Sequence, residues 1–151
     1  SKSRWTERLE HVAWINGGWY TDGNDAIRLS NEWIYRLFNE PLVTAGGGYT
    51  FEHFAQPSVD EAYYSPDAIH TVFGRAAYWH HPTDRVTHGG EYIVAYNDIS
   101  ALSHEVKGTF DYRLVKDLWF RLFARYFTES ARFGDERYFE REIGSHLKWK
   151  F

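Results

Sequence analysis

Glu140-Arg141-Glu142-Ile143-Gly144-Ser145-His146-Leu147-Lys148-Trp149-Lys150-Phe151 is the stretch that decides the fold. Ile143, Leu147, Trp149 and Phe151 fall on one parity, interrupted only by the small Ser145. Glu140, Glu142, Gly144, His146, Lys148 and Lys150 fall on the other. Successive side chains of a strand point to opposite faces, so this segment has one apolar and one charged face. A helix would wind the lysines around the same cylinder as the tryptophan and the phenylalanine.

The same alternation runs back through the chain. Gly108, Phe110, Tyr112 and Leu114 oppose Lys107, Thr109, Asp111 and Arg113. Leu118, Phe120, Leu122, Ala124 and Tyr126 oppose Trp119, Arg121, Phe123, Arg125 and Phe127. Val72, Gly74, Ala76 and Tyr78 face away from Thr71, Phe73, Arg75 and Ala77, and Ile27, Leu29, Trp33, Tyr35 and Leu37 oppose Arg28, Ser30, Glu32 and Arg36. Turn signals at 22–25, 39–41, 57–66, 82–85, 97–100, 116–117 and 134–135 separate these runs. The pattern predicts strands at 5–20, 26–38, 42–55, 68–80, 86–97, 103–115, 118–129 and 137–151. Gly17-Gly18 and the mixed parity around it predict a bulge in the first. No helix, low-complexity tract or dividing linker is legible, so residues 1–151 read as a single all-β domain.

Composition narrows the class. Aromatics make up 19% of the 151 residues while mean hydropathy is only −0.58, so large rings sit in an otherwise polar chain. No apolar run approaches the ~20 residues of a membrane-spanning helix. The net charge of −4 supplies no global basic field, which argues against a nucleic-acid partner. Without cysteine there is no disulfide, thiol nucleophile or cysteine-ligated metal. Without methionine, and opening on Ser1-Lys2-Ser3-Arg4, the chain reads as a processed protein or, by preference, a piece of a longer one.

Long alternating strands suit a soluble barrel with charges outward or an outer-membrane barrel with charges inward. Three features favour the membrane. The runs match the ~9–11 residues that cross a bilayer rather than the ~5–6 of ordinary strands. The second, fourth and sixth connections, around Glu40, Pro82 and Lys116, are shorter than the third and seventh, at 56–67 and 130–136. Trp19-Tyr20, Trp33, Tyr78-Trp79 and Trp149 lie near strand ends, where amphipathic rings meet lipid headgroups. The expectation is an antiparallel up-and-down transmembrane β-barrel with about eight strands in this chain, alone or as part of a larger barrel.

Gly144-x-x-Leu147-x-Trp149-x-Phe151 resembles the terminal signal by which the barrel-assembly machinery recognises the closing strand of bacterial outer-membrane proteins. Tyr63-Tyr64-Ser65-Pro66-Asp67, ahead of a long strand, is similar to a segment in the barrels of exopolysaccharide export porins. These are the poly-N-acetylglucosamine and cellulose exporters, in which tetratricopeptide repeats precede a C-terminal barrel. Asp22-Gly23-Asn24 before a strand and the glycine-rich 42–51 segment extend the similarity. No tetratricopeptide pattern is present, and those barrels have about twice as many strands. The resemblance implies a bacterial outer-membrane location and passive export of a polysaccharide chain, with outer-membrane lipid and periplasmic export partners around it.

With the apolar parity toward lipid, Arg28, Glu32, Arg36, Arg75, Asp111, Arg113, Trp119, Arg121, Phe123 and Arg125 form the expected lumen and polysaccharide path. Glu52, Lys107, Glu142, Lys148 and Lys150 share their parity. In a wide barrel, rings interleaved with guanidinium groups give a polymer repeated shallow sites. In an eight-stranded barrel the interior is just filled, and Arg121 and Arg125 paired with Asp111, Glu140 or Glu142 would form a plug. A small barrel of structural, adhesive or lipid-modifying role and a soluble calycin-like ligand binder are the alternatives. His80-His81-x-x-Asp84-x-x-x-His88 reads as a solvated turn rather than a metal site, and Ser103-His104-Glu105 points to opposite faces. No catalytic residue, metal or cofactor is expected. Gly46-Gly47-Gly48 lacks the strand-to-helix context of a phosphate loop and reads as a place of curvature or close backbone approach.

Overall fold

The structure is a computed structural model and describes residues 2–4, 6–19, 25–55, 58–60, 63–65, 67–98, 101–130 and 137–149. Its elements in order are β1 (Lys2–Arg4), β2 (Leu9–Trp19), β3 (Asp25–Asn39), β4 (Leu42–Phe54), β5 (Ser58–Asp60), β6 (Tyr63–Ser65), β7 (Ala68–Thr83), β8 (Val86–Asn97), β9 (Ala101–Val115), β10 (Leu118–Ser130) and β11 (Arg137–Trp149). No described residue is helical. Eight long strands and the three-residue β1 pair in one antiparallel sheet, in the order β1-β2-β3-β4-β7-β8-β9-β10-β11, and β5 and β6 form a separate hairpin. The chain is thus all-β and up-and-down, as its alternation predicts. The sheet is open: β11 is one edge strand, and β1 covers the other only beside Glu10–Val12.

Four features of the strands differ from those the pattern predicts. The expected first strand divides, because Thr6 Oγ1 accepts from the Arg8 and Leu9 amides (3.2 and 2.9 Å) and turns the chain between β1 and β2. No bulge occurs at Gly17-Gly18; these pair in register with Ile27 and Ala26. The irregularities lie instead between Arg36 and Phe38, between His80 and Thr83, and at Leu118/Trp119. β7 therefore runs past Pro82 to a turn at Asp84-Arg85, with the proline in the irregular stretch where no ladder amide is needed. The connection after β4 is not plain loop but carries the β5–β6 hairpin. The expected turns at 22–24, 99–100 and 134–135 lie outside the described residues.

The connections β3–β4, β7–β8 and β9–β10 hold two residues each and lie at one end of the sheet. The connections at the other end are longer, up to the segment between Phe54 and Ala68. The short turns are also staggered. The ladder from Leu9, the first residue of β2, runs through Tyr35, Ala45, Ala76, Tyr92, Val106 and Tyr126 to Arg141. Ala45 is 3 residues into its strand from the short turn, Tyr92 is 6, Tyr126 is 8, and Arg141 stands 8 before Trp149. Strand rise and spacing convert this offset across seven steps into a tilt of roughly 40°.

The two faces of the sheet differ sharply. Leu29, Trp33, Val72, Tyr96, Val106, Phe110, Leu122, Ile143 and Leu147 share one face through the ladders and are exposed. The opposite face carries the charges, yet it holds the buried positions: Ala26, Ser30, Glu52, Phe54 and Ala77. A soluble sheet shows the reverse order, apolar groups shielded and charges wet.

Candidate functional site

All ten residues of the expected lumenal path share the charged face. The ladder Arg36–Thr44–Ala77–Glu91–Lys107–Arg125–Glu142 crosses seven strands, and each partner pair lies on one face. Glu32 belongs to the ladder through Gly48 and Phe73, Arg75 to that through Gly46 and Ile93, and Arg28 pairs with Glu52. Asp111 stands beside Arg121, Thr109 beside Phe123 and Arg113 beside Trp119. Alternation alone was therefore enough to collect these side chains from β3, β7, β9 and β10.

Most of the charges pair in separate groups that together form a band along the sheet. Arg28 Nε and Nη2 donate to Glu52 Oε2 at 3.1 and 2.7 Å. Arg121 grips Asp111 with two parallel bonds of 2.6 Å, the planar fork-to-carboxylate geometry. Arg125 donates to Glu105 at 2.5 Å and to Glu140 at 3.1 Å, while Lys107 holds the second Glu105 oxygen at 2.7 Å. The sequence foresaw the Asp111 and Glu140 partners; Glu105 was missed because it was read only with Ser103 and His104. Side-chain exposures of 15% for Glu105 and 32% for Arg125 place this pair between the surface and interior regimes.

Arg75 shows why the glycine run exists. Its guanidinium meets Glu91 on the adjacent β8 and also Glu32 on β3, at 3.1 Å, on the far side of β4. The β4 residues between them on this face are Gly46 and Gly48. A Cβ at Gly48 would collide with the Asn31 carbonyl and lie 2.7 Å from the Phe73 ring. The glycines bring β4 close to its neighbours and leave a path for the arginine, as the close-approach reading expects.

Rings are interleaved with the band. Arg113 lies 5.7 Å over Trp119, Arg125 lies 5.6 Å over Phe127, and Phe123 stands 6.0 Å from His146. The Phe123 ring covers Gly144, where a Cβ would strike it. Gly144 thus has a packing reason of its own, an aromatic laid across a bare backbone near an edge. Of the other assembly-signal residues, Leu147 and Trp149 are exposed on the apolar face, and Phe151 lies outside the described residues, as does Lys150.

Six histidines sit on the apolar face, most beside a ring or an amide. His11 Nε2 bonds Asn31 at 3.1 Å, His70 Nδ1 bonds Tyr49 Oη at 2.5 Å, and His104 Nδ1 bonds Tyr92 Oη at 2.7 Å. His80 and His88 are edge-to-face at 5.4 Å with Tyr78 beside them, and His53 takes the Asp67 carbonyl at 2.8 Å. Among the described residues no three His, Asp or Glu side chains converge as a metal site. His104 faces away from Ser103 and Glu105, so these three form no hydrogen-bonded triad. Arg141 is the one Lys, Arg, Asp or Glu on the apolar face away from the strand ends, among the described residues. Its charge rests over the Tyr126 and Phe139 rings at 5.6 and 5.5 Å.

Comparison with protein families, curated proteins and solved structures returns no match.

Proposed function

We propose that the chain forms wall of a bacterial outer-membrane β-barrel that serves as a passive conduit for polysaccharide export. The observation that carries this reading is the inverted amphipathy: large apolar side chains stand exposed on one face, while the few buried positions and the largely covered carboxylates Glu32, Glu52, Glu91, Glu105 and Asp111 lie on the other. Hydrocarbon is the solvent that makes such an arrangement stable. The tilt of roughly 40° is that of barrel strands, and the two-residue turns at one end fit the periplasmic side of such barrels. On the apolar face Tyr35, Tyr78, Tyr112 and Trp149 lie toward the short-turn ends of their strands and Tyr96, Tyr126 and Phe139 toward the other ends, while Trp33, Tyr49, Tyr92 and Phe110 stand nearer the middle. The ion pairs join neighbouring strands and bridge β4 along the wall, as they would beside an open axis in a wider barrel. With no nucleotide site in the reading, transport energy comes from synthesis or from export partners.

Purified full chain should need detergent to stay monodisperse and should give stable single-channel currents in planar bilayers. Monodispersity in plain buffer would overturn the membrane reading, and a membrane protein without stable current would overturn the conduit. Phe151→Ala should lower the amount assembled in the outer membrane, read by fractionation. Normal accumulation would remove the assembly machinery as a partner.

One observation favours a second reading, an eight-stranded barrel closed on itself with a filled core. Ile15 and Ile143 are the most exposed large apolar residues, at 72% and 86%, and lie on the two outer long strands. Pairing β2 and β11 with their short-turn ends level sets Ile15 opposite Ile143 and Glu10 opposite Lys148, provided β1 gives way. The cysteine-free background makes the test clean: Ile15→Cys with Ile143→Cys or Ser145→Cys should cross-link within one chain if eight strands close alone. A disulfide only between chains, or none, supports the wider barrel.

A further inference from the structure

The short-turn end of the charged face holds a cavity of about 230 Å³. Its floor includes Ala77, one of the few buried residues, and its walls include Arg36, Arg75 and Trp79. The turn from Thr6 to Glu10 borders it and is tied to the sheet by the Arg36 amide, which donates to the Arg8 carbonyl at 2.8 Å. The cations around it are not equivalent. Arg75 is engaged by Glu32 and Glu91, and the nearby Glu10 is taken by Lys2 at 2.5 Å. Arg36 and Arg8 have no salt bridge among the described residues, and Glu7, at the cavity margin, is exposed. The Trp79 indole lies over Gly89, where a Cβ would strike its six-membered ring. That glycine supports one side of the indole, while Trp79 also lines the cavity.

We infer that this cavity is a subsite for one carboxylated pyranose of an acidic polysaccharide, with Arg36 receiving the carboxylate and Trp79 the sugar ring. A guanidinium offers two parallel N–H donors that match a carboxylate, and a sugar at this place supplies the partner that the fold does not. The axial C–H bonds of a pyranose carry slight positive charge and meet the negative face of an indole. The volume suits a single sugar rather than a length of chain, which is what a sliding polymer needs at each stop. This rests on the conduit reading for the source of the ligand and not for the chemistry of the subsite.

The test is calorimetric titration of the full chain, in the detergent that keeps it folded, with tetragalacturonate, neutral cellotetraose and inorganic phosphate. Tetragalacturonate should bind at least about tenfold more tightly than cellotetraose. Arg36→Gln should weaken it by about tenfold or more, the loss of a charge-assisted hydrogen bond. Arg36→Lys, which keeps the charge without the fork, should lose less, and Trp79→Leu should weaken the tetramer while leaving phosphate unchanged. Arg141→Gln, on the opposite face, should bind as the parent does. Equal binding of cellotetraose, an unchanged Arg36→Gln, or phosphate bound as tightly as the tetramer would overturn the inference. A protein that binds tetragalacturonate but gives no channel current loses the conduit and keeps the subsite. One that conducts, with Arg36→Gln binding as the parent does, loses the subsite and keeps the conduit.

Discussion

The two faces of this sheet are built from adjacent residues of the same strands, yet they follow opposite rules. On one face Leu122, Phe110, Ile143 and Val106 stand exposed. On the other, one residue along, Arg121, Thr109, Glu142 and Lys107 lie in or beside a band of ion pairs. In water this arrangement places the large apolar area where solvation is least favourable. On the outer-membrane reading proposed above, the difference is one of solvent. The ionised face needs water or internal partners, and the apolar face needs a medium that asks for none.

Substitutions that exchange the rules should be the most damaging. Leu122→Arg places a charge near the middle of β10 on the apolar face and should cost about 2–4 kcal/mol of folding free energy in lipid vesicles. Thr109→Arg, on the other face, should cost under about 1 kcal/mol, and urea titration of the two variants compares the faces directly. Equal costs would break the comparison. Gly48→Ala should cost about 1–3 kcal/mol, because the added methyl drives β4 from Asn31 and closes the path of Arg75 to Glu32. Glu105→Gln leaves Arg125 with Glu140 alone and Lys107 without its carboxylate, and should cost about 1–2 kcal/mol given the partial exposure of the group. Lys148→Gln, exposed and outside the band, should change stability by less than about 0.5 kcal/mol. A loss there as large as that of Glu105→Gln would mean that the band contributes nothing special.

Most of the fold was legible because period-two alternation is a local signal and each strand carries its own copy of it. β8 from Val86 to Asn97 is placed to the residue, and β10 and β4 differ by one. What alternation does not encode is where two strands slip. The Gly17-Gly18 pair suggested a bulge from composition, whereas the real irregularities arise beside the short turns, where stagger accumulates. β1 and the β5–β6 hairpin are too short to show a period. On the charged face, the sequence named the cations and missed two of their partners. Glu105 was hidden inside Ser103-His104-Glu105, and Glu91 stood among glycines and tyrosines without a visible counterpart. The approach of Thr6–Glu10 to Trp79, which builds the cavity, comes from a turn of the chain that no pattern announces.

The most direct measurement places a fluorophore on adjacent residues of one strand. The protein has no cysteine, so Thr109→Cys and Phe110→Cys can each be labelled alone with bimane and reconstituted into vesicles of brominated lipid. If the apolar face meets hydrocarbon, the label at 110 is strongly quenched and the label at 109 hardly at all. Quenching at 109 with none at 110, or none at either, would contradict the account.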